Sequence, residues 1–461
     1  MAFFGAFALV LVLIIRPQEI WPVLNVFRLL DVFTAIAALG VIIDFSTGKQ
    51  KNAYSPQLPF LAAFIVSCFA STAVMVGRPA LTIVFNRAIV PALGMLVVMY
   101  GSRSFPRMRT LLIGLIACMA FVSSVAIHQG YVEPACIELP KDETGARASV
   151  EDGISDGRSC DTAYSCERGG KPGADYACER LGTFSTVSTG RRVRWRGQLG
   201  DPNELSVYIG AVIPLLFAMS GFVNKKAFSL LALAIVGIGL WCVILTQSRG
   251  GQLVITTVFG IYFVARFGLK GLIGAVVLAM PVVMLGGREG LDADDSSAER
   301  FELLYEGGAL VLRHPLIGIG TDQFPEHMGN GLTAHNAYLL AVAELGFPGF
   351  FCWSGLLWSS VKIPLTVLRS TPAAMDARIR PFAMALLVSF IGLSVGIFFL
   401  SFTYKQLLFV WFGIAGALYG VVKKEDPTFE VKFGVKDYLG IALFDVVMFG
   451  TIYSYTRLKG I

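Results

Sequence analysis

Apolar runs recur along the whole chain, and short polar segments separate them. Most runs are roughly 15 to 25 residues long, which matches the ~20 residues that a helix needs to cross ~30 Å of hydrocarbon. A membrane β-barrel would instead show segments of about 10 residues with alternating apolar and polar positions. The pattern therefore predicts an all-α polytopic membrane protein with about 12 transmembrane helices. The predicted spans are 2–15, 29–44, 58–76, 81–100, 111–128, 203–222, 227–246, 252–266, 270–286, 336–361, 380–402 and 406–422.

The composition agrees with this class, because 55% of the 461 residues are hydrophobic and only 15% are charged. The net charge of +6 does not indicate a nucleic-acid partner, since most lysines and arginines fall in short loops between the spans. These basic groups occupy alternate loops, so the positive-inside rule assigns those loops and both termini to the cytoplasm. The polar loops 129–202 and 287–335 are then expected on the outer face.

Cysteine usage divides the chain in two. Four of the eight cysteines lie in apolar runs, where a thiol is usually a small buried hydrophobe. The other four share the loop 129–202, which predicts two disulfides, with three possible pairings, in an oxidising compartment. The alternatives are four free thiols or a metal site, although no CxxC pair supports zinc. The four loop cysteines are Cys136, Cys160, Cys166 and Cys178.

Two polar segments before residue 260 carry candidate binding residues. The loop 129–202 ends in a basic run that includes Arg196 and is suited to bind an anion, the alternative being a solvated or head-group-contacting patch. Asn203 follows in a turn and is first of all a turn or capping residue. Arg249 lies in a short turn between two spans, where an arginine near hydrocarbon needs an anion. We favour a ligand role for Arg249 over simple snorkelling.

The segment Arg300–Gly349 holds three of the four histidines between long apolar runs. It opens on an amphipathic pattern, which predicts a helix lying along the outer face. A Pro/Gly turn follows, and then a long span begins. A histidine at the mouth of such a span titrates near neutral pH and can take a proton from a hydroxyl, whereas a lone histidine is more often structural. The candidate side chains are Arg300, Arg313, His314, His335, Asn336 and Glu344.

These residues resemble a known family. His335 and Asn336, nine further residues and then Gly346–Gly349 fit the signature H-[NSQ]-x9-G-x-x-G of the O-antigen ligase and Wzy-type polymerase superfamily. Other family marks are similar to Ser248–Gly250, the start of the helix at Arg300, and the His-Pro-Leu turn that begins at His314. The resemblance extends over about residues 196–355.

The resemblance implies a membrane glycosyltransferase of the GT-C type. Members take a glycan from an undecaprenyl diphosphate carrier on the periplasmic face, without a metal or another cofactor. It implies that Arg249 and Arg300 bind the diphosphate and that His335 assists attack by the acceptor hydroxyl. Arginine suits that role because its planar fork makes bidentate contacts to phosphate oxygens. The further substrate-binding candidates are Arg196, Asn203, Arg313, His314, Asn336 and Glu344.

The predicted function is transfer of a glycan to an acceptor sugar hydroxyl during polysaccharide or O-antigen polymerisation. The alternatives are ligation to lipid A core or to protein, and a non-enzymatic polysaccharide transporter. A transporter would carry ionisable residues deep within its spans, and here Arg87 and Glu344 are the exceptions to an otherwise one-sided distribution. The expected partners are the lipid-linked glycan donor, a glycan or glycolipid acceptor, the bilayer and polysaccharide-assembly proteins.

The chain is expected in the bacterial inner membrane with its active site on the periplasmic face. The tail contains an apolar stretch at 440–455 that Asp445 interrupts, which favours an interfacial helix over a thirteenth span. The predicted regions are a five-span part (1–128), a periplasmic loop (129–202), an O-antigen ligase-related membrane domain with its own periplasmic loop (203–422) and a cytoplasmic or interfacial tail (423–461).

Overall fold

The protein is a helical bundle that carries a small β-sheet at one end. The computed structural model describes residues 1–50, 53–140, 150, 153–219, 225–285, 291–370 and 378–459, with the backbone alone at 225–228 and 291–296. The helices are α1 (Ala2–Ile15), α2 (Pro17–Ile20), α3 (Leu29–Ser46), α4 (Leu58–Met75), α5 (Ala80–Val84), α6 (Val90–Gly101), α7 (Phe105–Tyr131), α8 (Ala163–Arg168), α9 (Pro202–Ala218), α10 (Lys225–Thr246), α11 (Arg249–Phe267), α12 (Gly271–Leu285), α13 (Leu291–Arg313), α14 (Ala337–Arg369), α15 (Ile379–Gly396), α16 (Gln406–Glu425) and α17 (Val435–Leu458).

Ten helical segments among the described residues are long and apolar enough to cross a membrane, which confirms the prediction of a polytopic helical membrane protein. Among the described residues each predicted span overlaps a helix, and α1 and α9, with 14 and 17 residues, are apolar helices shorter than a full span. α11 and α12 form a continuous helical stretch that folds back on itself. The Gln252 amide of α11 donates to the Val282 carbonyl of α12 at 3.2 Å, so the two helices run antiparallel as two passes.

The tail forms a single helix that is longer than the apolar stretch at 440–455. α17 has 24 residues and is itself long and apolar enough to span a membrane. Near its start, Asp437 pairs with Lys362 in the second half of α14 at 2.5 Å. Near its end, the ring of Tyr455 lies 5.8 Å from that of Phe301 on α13. α17 therefore runs the length of the bundle, because packing against α13 and α14 outweighs the local break in hydropathy at Asp445.

Several helices begin at the same end of the bundle, which we call the site face. Lys405, just before α16, pairs with Glu204 in the first turn of α9 at 2.6 Å. α11 begins beside α9, where the backbone of Gly251 packs closely on Ser206. The opposite face holds a cavity of about 660 Å³ where three of the basic loops meet, as their predicted location on one side requires. Its basic lining residues are Lys49, Arg103, Arg107, Lys423 and Lys424.

The loop between α7 and α9 folds into a small disulfide-bearing domain. Its antiparallel sheet has the order β2-β1-β3, and α8 packs on β3. The four cysteines form two pairs at bonding distance, Cys136 with Cys166 and Cys160 with Cys178, which confirms the prediction of two disulfides and selects one of the three pairings. The strands are β1 (Pro134–Leu139), β2 (Ile154–Ser159) and β3 (Asp175–Arg180).

The basic run at the end of this loop fastens the domain to the bundle. Trp195 is fully buried, and its indole Nε1 donates to the Ile14 carbonyl of α1 at 2.8 Å. Arg194 donates to two backbone carbonyls at 2.7 and 3.3 Å. Arg196, a predicted substrate ligand, donates to three carbonyls at 2.6 to 2.9 Å. Arg194 and Arg196 of the basic run therefore donate hydrogen bonds to backbone carbonyls, whereas the sequence suggested an anion site or a solvated patch.

Candidate functional site

Three helix N-termini lie together at the site face. Each begins on a residue whose side chain caps the helix, namely Asp201 for α9, Ser248 for α11 and Asn336 for α14. The capping oxygens accept from backbone N–H groups two or three residues further on, at 2.6 to 3.0 Å. Such short polar residues start helices because they satisfy N–H groups that lack a partner within the helix. The remaining N–H groups and the helix dipoles make this region favourable for an anion.

His335 directly precedes the α14 cap and is half-buried. Its φ of 46° lies in the left-handed region, which is uncommon for a residue with a side chain. Burial lowers the pKa of the His335 imidazole, and the positive charge of Arg300 lowers that pKa further, while the nearby Asp201 and Glu299 carboxylates oppose the shift. The lowered pKa favours the neutral imidazole, which has an unprotonated nitrogen that can accept a proton.

Arg300 and His335 lie near each other in the structure. Arg300 lies on α13 and is half-buried, within electrostatic range of the imidazole. Arg249 is the first residue of α11 and is exposed. Helix α9 lies between the two parts of the site. Its capping residue Asp201 is within electrostatic range of His335, and its Ser206 packs against Gly251 near the start of α11. The two arginines and the histidine thus border the same group of helix N-termini.

Arg192 is a site residue that the sequence did not single out. Its side chain is buried, its Nε donates to the Thr246 carbonyl at 2.8 Å, and its Nη2 donates to Asn203 Oδ1 at 3.1 Å. It therefore ties the turn that presents Arg249 to the turn that starts α9. Asn203 was predicted to be a substrate ligand, and in the structure its side-chain oxygen accepts this hydrogen bond from Arg192. The only signal in the sequence was the position of Arg192 in a basic run shortly before that turn.

The long helix α14 is broken at Gly346, where φ is 68° and ψ is 178°. The helix is therefore not one straight span, because the backbone at Gly346 departs from the helical conformation. The ring centroids of Tyr338 and Trp353 are 5.5 Å apart, whereas fifteen residues of straight helix would separate their backbones by ~22 Å. α14 consists of a short first limb that starts at the site and a second limb that spans the bundle.

The turn after α13 fits into this break through backbone contacts. Ile319 and Gly320 donate their N–H groups to the last carbonyls of the first limb, both at 3.0 Å, and Phe347 donates to the Pro315 carbonyl at 2.8 Å. A side chain at Gly318 would lie 2.3 Å from the α14 backbone, so only glycine allows this approach. The turn at residues 315–320 and the break in α14 at residues 343–347 therefore form one backbone contact, which we call the joint.

Four further predicted ligands lie in this joint, next to it or at the start of α14. Glu344 is buried, and its carboxylate accepts from the N–H groups of Asp322 and Phe324 at 3.0 Å each. The His314 carbonyl accepts from Gly318 N at 2.9 Å and so begins the turn. Arg313, the last residue of α13, is exposed. Asn336 caps α14, and its side-chain nitrogen is buried without a hydrogen-bond partner among the described residues.

Comparison with known proteins finds one family that matches part of the chain. Residues 234–354 match the family model described as O-antigen ligase. The matched segment contains Arg249, Arg300 and His335 together with both glycine-containing motifs. No curated protein matches the chain. The resemblance noted in the sequence is therefore confirmed over residues 234–354, which are similar to the O-antigen ligase family.

Proposed function

We propose that the protein is a membrane glycosyltransferase that moves a glycan from undecaprenyl diphosphate to an acceptor sugar hydroxyl. The observation that carries this proposal is the pairing of a half-buried, neutral His335 with Arg300 in front of three helix N-termini. A neutral base and an anion-binding region side by side are what a displacement of diphosphate requires. The match to the O-antigen ligase family supports the same type of reaction.

The reaction is a single displacement at the anomeric carbon. The acceptor oxygen forms the new glycosidic bond while the bond between the anomeric carbon and the diphosphate oxygen breaks, with inversion. The acceptor proton passes to the free imidazole nitrogen of His335, and the bonding electrons leave with undecaprenyl diphosphate. Arg249 and Arg300 stabilise the negative charge that grows on the leaving diphosphate, so the reaction needs no metal ion.

The site face is assigned to the periplasm of a bacterial inner membrane. The four cysteines of the small domain are paired, which favours an oxidising compartment. The opposite face gathers basic residues from three loops, as cytoplasmic loops do. The glycan would therefore be transferred outside, after the lipid-linked donor has crossed the membrane.

The test replaces His335 with alanine and measures release of undecaprenyl diphosphate from a lipid-linked glycan in proteoliposomes. We expect a loss of at least 100-fold, because general-base assistance typically contributes about 10²–10⁴. His327→Ala is the matched control, since His327 is an exposed histidine whose Nδ1 faces the Gln323 carbonyl. Undiminished release by the His335 variant, with expression intact, would exclude the catalytic role.

The outcome for the glycan distinguishes polymerisation from ligation. A polymerase extends the lipid-linked glycan when the donor is supplied alone, whereas a ligase needs added lipid A core or an acceptor protein. We favour polymerisation or a related step of polysaccharide assembly. The companion variant Arg249→Lys keeps the charge and loses the planar fork, so a fall in release would support bidentate diphosphate binding.

A further inference from the structure

Two ionisable residues within the predicted spans, Arg87 and Glu344, had no assigned partner in the sequence. In the structure both line one cavity of about 600 Å³ at the site face. Its volume falls in the range of small-molecule sites. Other parts of its wall come from the start of α3, the first limb of α14, the segment before His335, the segment before α9 and the loop that leads into α16.

Arg87 reaches this cavity because the helix is irregular there. Phe85–Ile89 forms a π-helical turn between α5 and α6, and such turns are rare and frequent at functional sites. The Arg87 Nε lies 2.8 Å from Asp322 Oδ2, and the Asp322 N–H donates in turn to Glu344. The side chains of Arg87 and Asp322 are 55% and 38% exposed, so the pair can also bind a ligand in the cavity.

The lining suits a sugar better than a diphosphate. Its cations already have acidic partners, because Arg87 pairs with Asp322, Lys405 with Glu204, and Arg16 with Glu19 at 3.3 Å. A diphosphate site would instead show unbalanced positive charge. Hydroxyl groups need both donors and acceptors, and the wall supplies them. The neutral polar lining residues are Asn86, Gln198, Thr333, Ser401, Tyr404 and Gln406.

The cavity borders the segment that carries His335. Thr333 lines the wall two residues before the histidine, and its hydroxyl donates to Ser401 at 3.0 Å. Gln198 lines the wall three residues before Asp201, which faces His335, and its side-chain oxygen is buried without a hydrogen-bond partner among the described residues. Neither Arg249 nor Arg300 is part of the wall. The cavity therefore reaches the chain close to His335, whereas the two arginines lie outside its wall.

We propose that this cavity binds the acceptor glycan, with the Arg87–Asp322 pair as its main contact to sugar hydroxyls. The inference rests on the proposed function, because it takes His335 as the base and the arginines as the diphosphate site. In this proposal the hydroxyl of a sugar held in the cavity reaches the imidazole from the cavity, and the leaving diphosphate lies at the arginines. This arrangement is the one that a single displacement with inversion needs.

The test separates acceptor binding from donor binding. The donor is the undecaprenyl diphosphate-linked glycan, and the probe is the same repeat unit released from its carrier by mild acid, which has no diphosphate and can only accept. We expect Arg87→Gln to raise the KM for the released repeat unit about ten-fold and to change the donor KM less than two-fold. Arg78→Gln is the matched control, since Arg78 is an exposed arginine nearby that does not line the cavity. A rise in the donor KM alone, or no change in either KM, would overturn the proposal.

A binding measurement keeps this inference separate from the proposed function. Asn86→Cys places an exposed thiol in the cavity wall, and we expect the released repeat unit to slow its modification by a water-soluble maleimide. The Asn86→Cys variant is otherwise wild type, so its release of undecaprenyl diphosphate can be measured in parallel. Protection of the thiol without any release would support acceptor binding in the cavity and contradict the catalytic proposal. Release without protection, together with an unchanged acceptor KM, would contradict the cavity alone.

Discussion

Replacing Gly346 with alanine should disrupt the joint between the two limbs of α14. The native φ of 68° and ψ of 178° fall in a region that is essentially restricted to glycine. A Cβ at this position would lie 2.5 Å from the Leu316 carbonyl carbon and 2.6 Å from its oxygen. Carbon atoms in contact are normally ~3.5–4.0 Å apart, so one backbone must move by about 1 Å.

The magnitude follows from these two effects. The unfavourable backbone conformation costs ~1–3 kcal/mol. A movement of about 1 Å also weakens the three hydrogen bonds that join the turn to α14, each of which contributes about 1 kcal/mol. We therefore expect Gly346→Ala to lower the free energy of unfolding by about 3 kcal/mol or more. Catalysis should fall as well, because the first limb fixes the position of His335.

The measurement is SDS-induced or thermal unfolding of the purified protein, combined with the release of undecaprenyl diphosphate. Gly260→Ala is the control, because Gly260 is in α11 with no atom within 4 Å of a built Cβ. Alanine there should leave the free energy of unfolding unchanged or raise it by up to ~1 kcal/mol. A loss below ~1 kcal/mol in the Gly346 variant would refute the argument that only glycine fits the joint.

Three further predictions concern the proposed base His335, the buried Arg192 that joins two turns of the site, and the small disulfide-bearing domain. Removing the Glu299 charge as Glu299→Gln should lower the pKa of His335 further, so the acid limb of kcat/KM should move to lower pH; a shift to higher pH would contradict this assignment. Arg192→Ala removes two hydrogen bonds from a charged group, each worth ~1.5–3 kcal/mol, and should raise the donor KM, as measured by release at varied donor concentration. Replacing Cys160 and Cys178 by serine opens a link across 18 residues and should destabilise the small domain by about 3 kcal/mol, seen as faster proteolysis with unchanged unfolding of the bundle.

The sequence was sufficient to predict the class of fold and the number of disulfides. Long apolar runs can be satisfied only by helices in a bilayer, so the predicted spans fall on helices even where boundaries move. The extent of the helix in the tail could not be predicted in the same way, because Asp445 interrupts the apolar pattern. The helix is continuous there because its two ends pack on α14 and α13, and such packing is not visible in local hydropathy.

Parts of the site depended on contacts between distant segments. The roles implied for Arg249, Arg300 and His335 remain predictions, although the last two lie together. Arg196 carries the same charge as these arginines, and only the structure shows its carbonyl partners. Glu344 could not be placed from the sequence because its partners, the N–H groups of a turn, precede it by about 20 residues and depend on the break in α14.

The spacing between the histidine and the glycines acquires a physical meaning from this fold. Nine residues separate Asn336 from Gly346, and they form the first limb of α14. At ~1.5 Å and ~100° per residue, the limb is ~14 Å long, and one residue more or less would turn its start by ~100° relative to its end. Its end is fixed by the joint with the turn after α13, and its start carries His335. The number of residues between them therefore determines the direction from which the imidazole faces the arginines and the cavity.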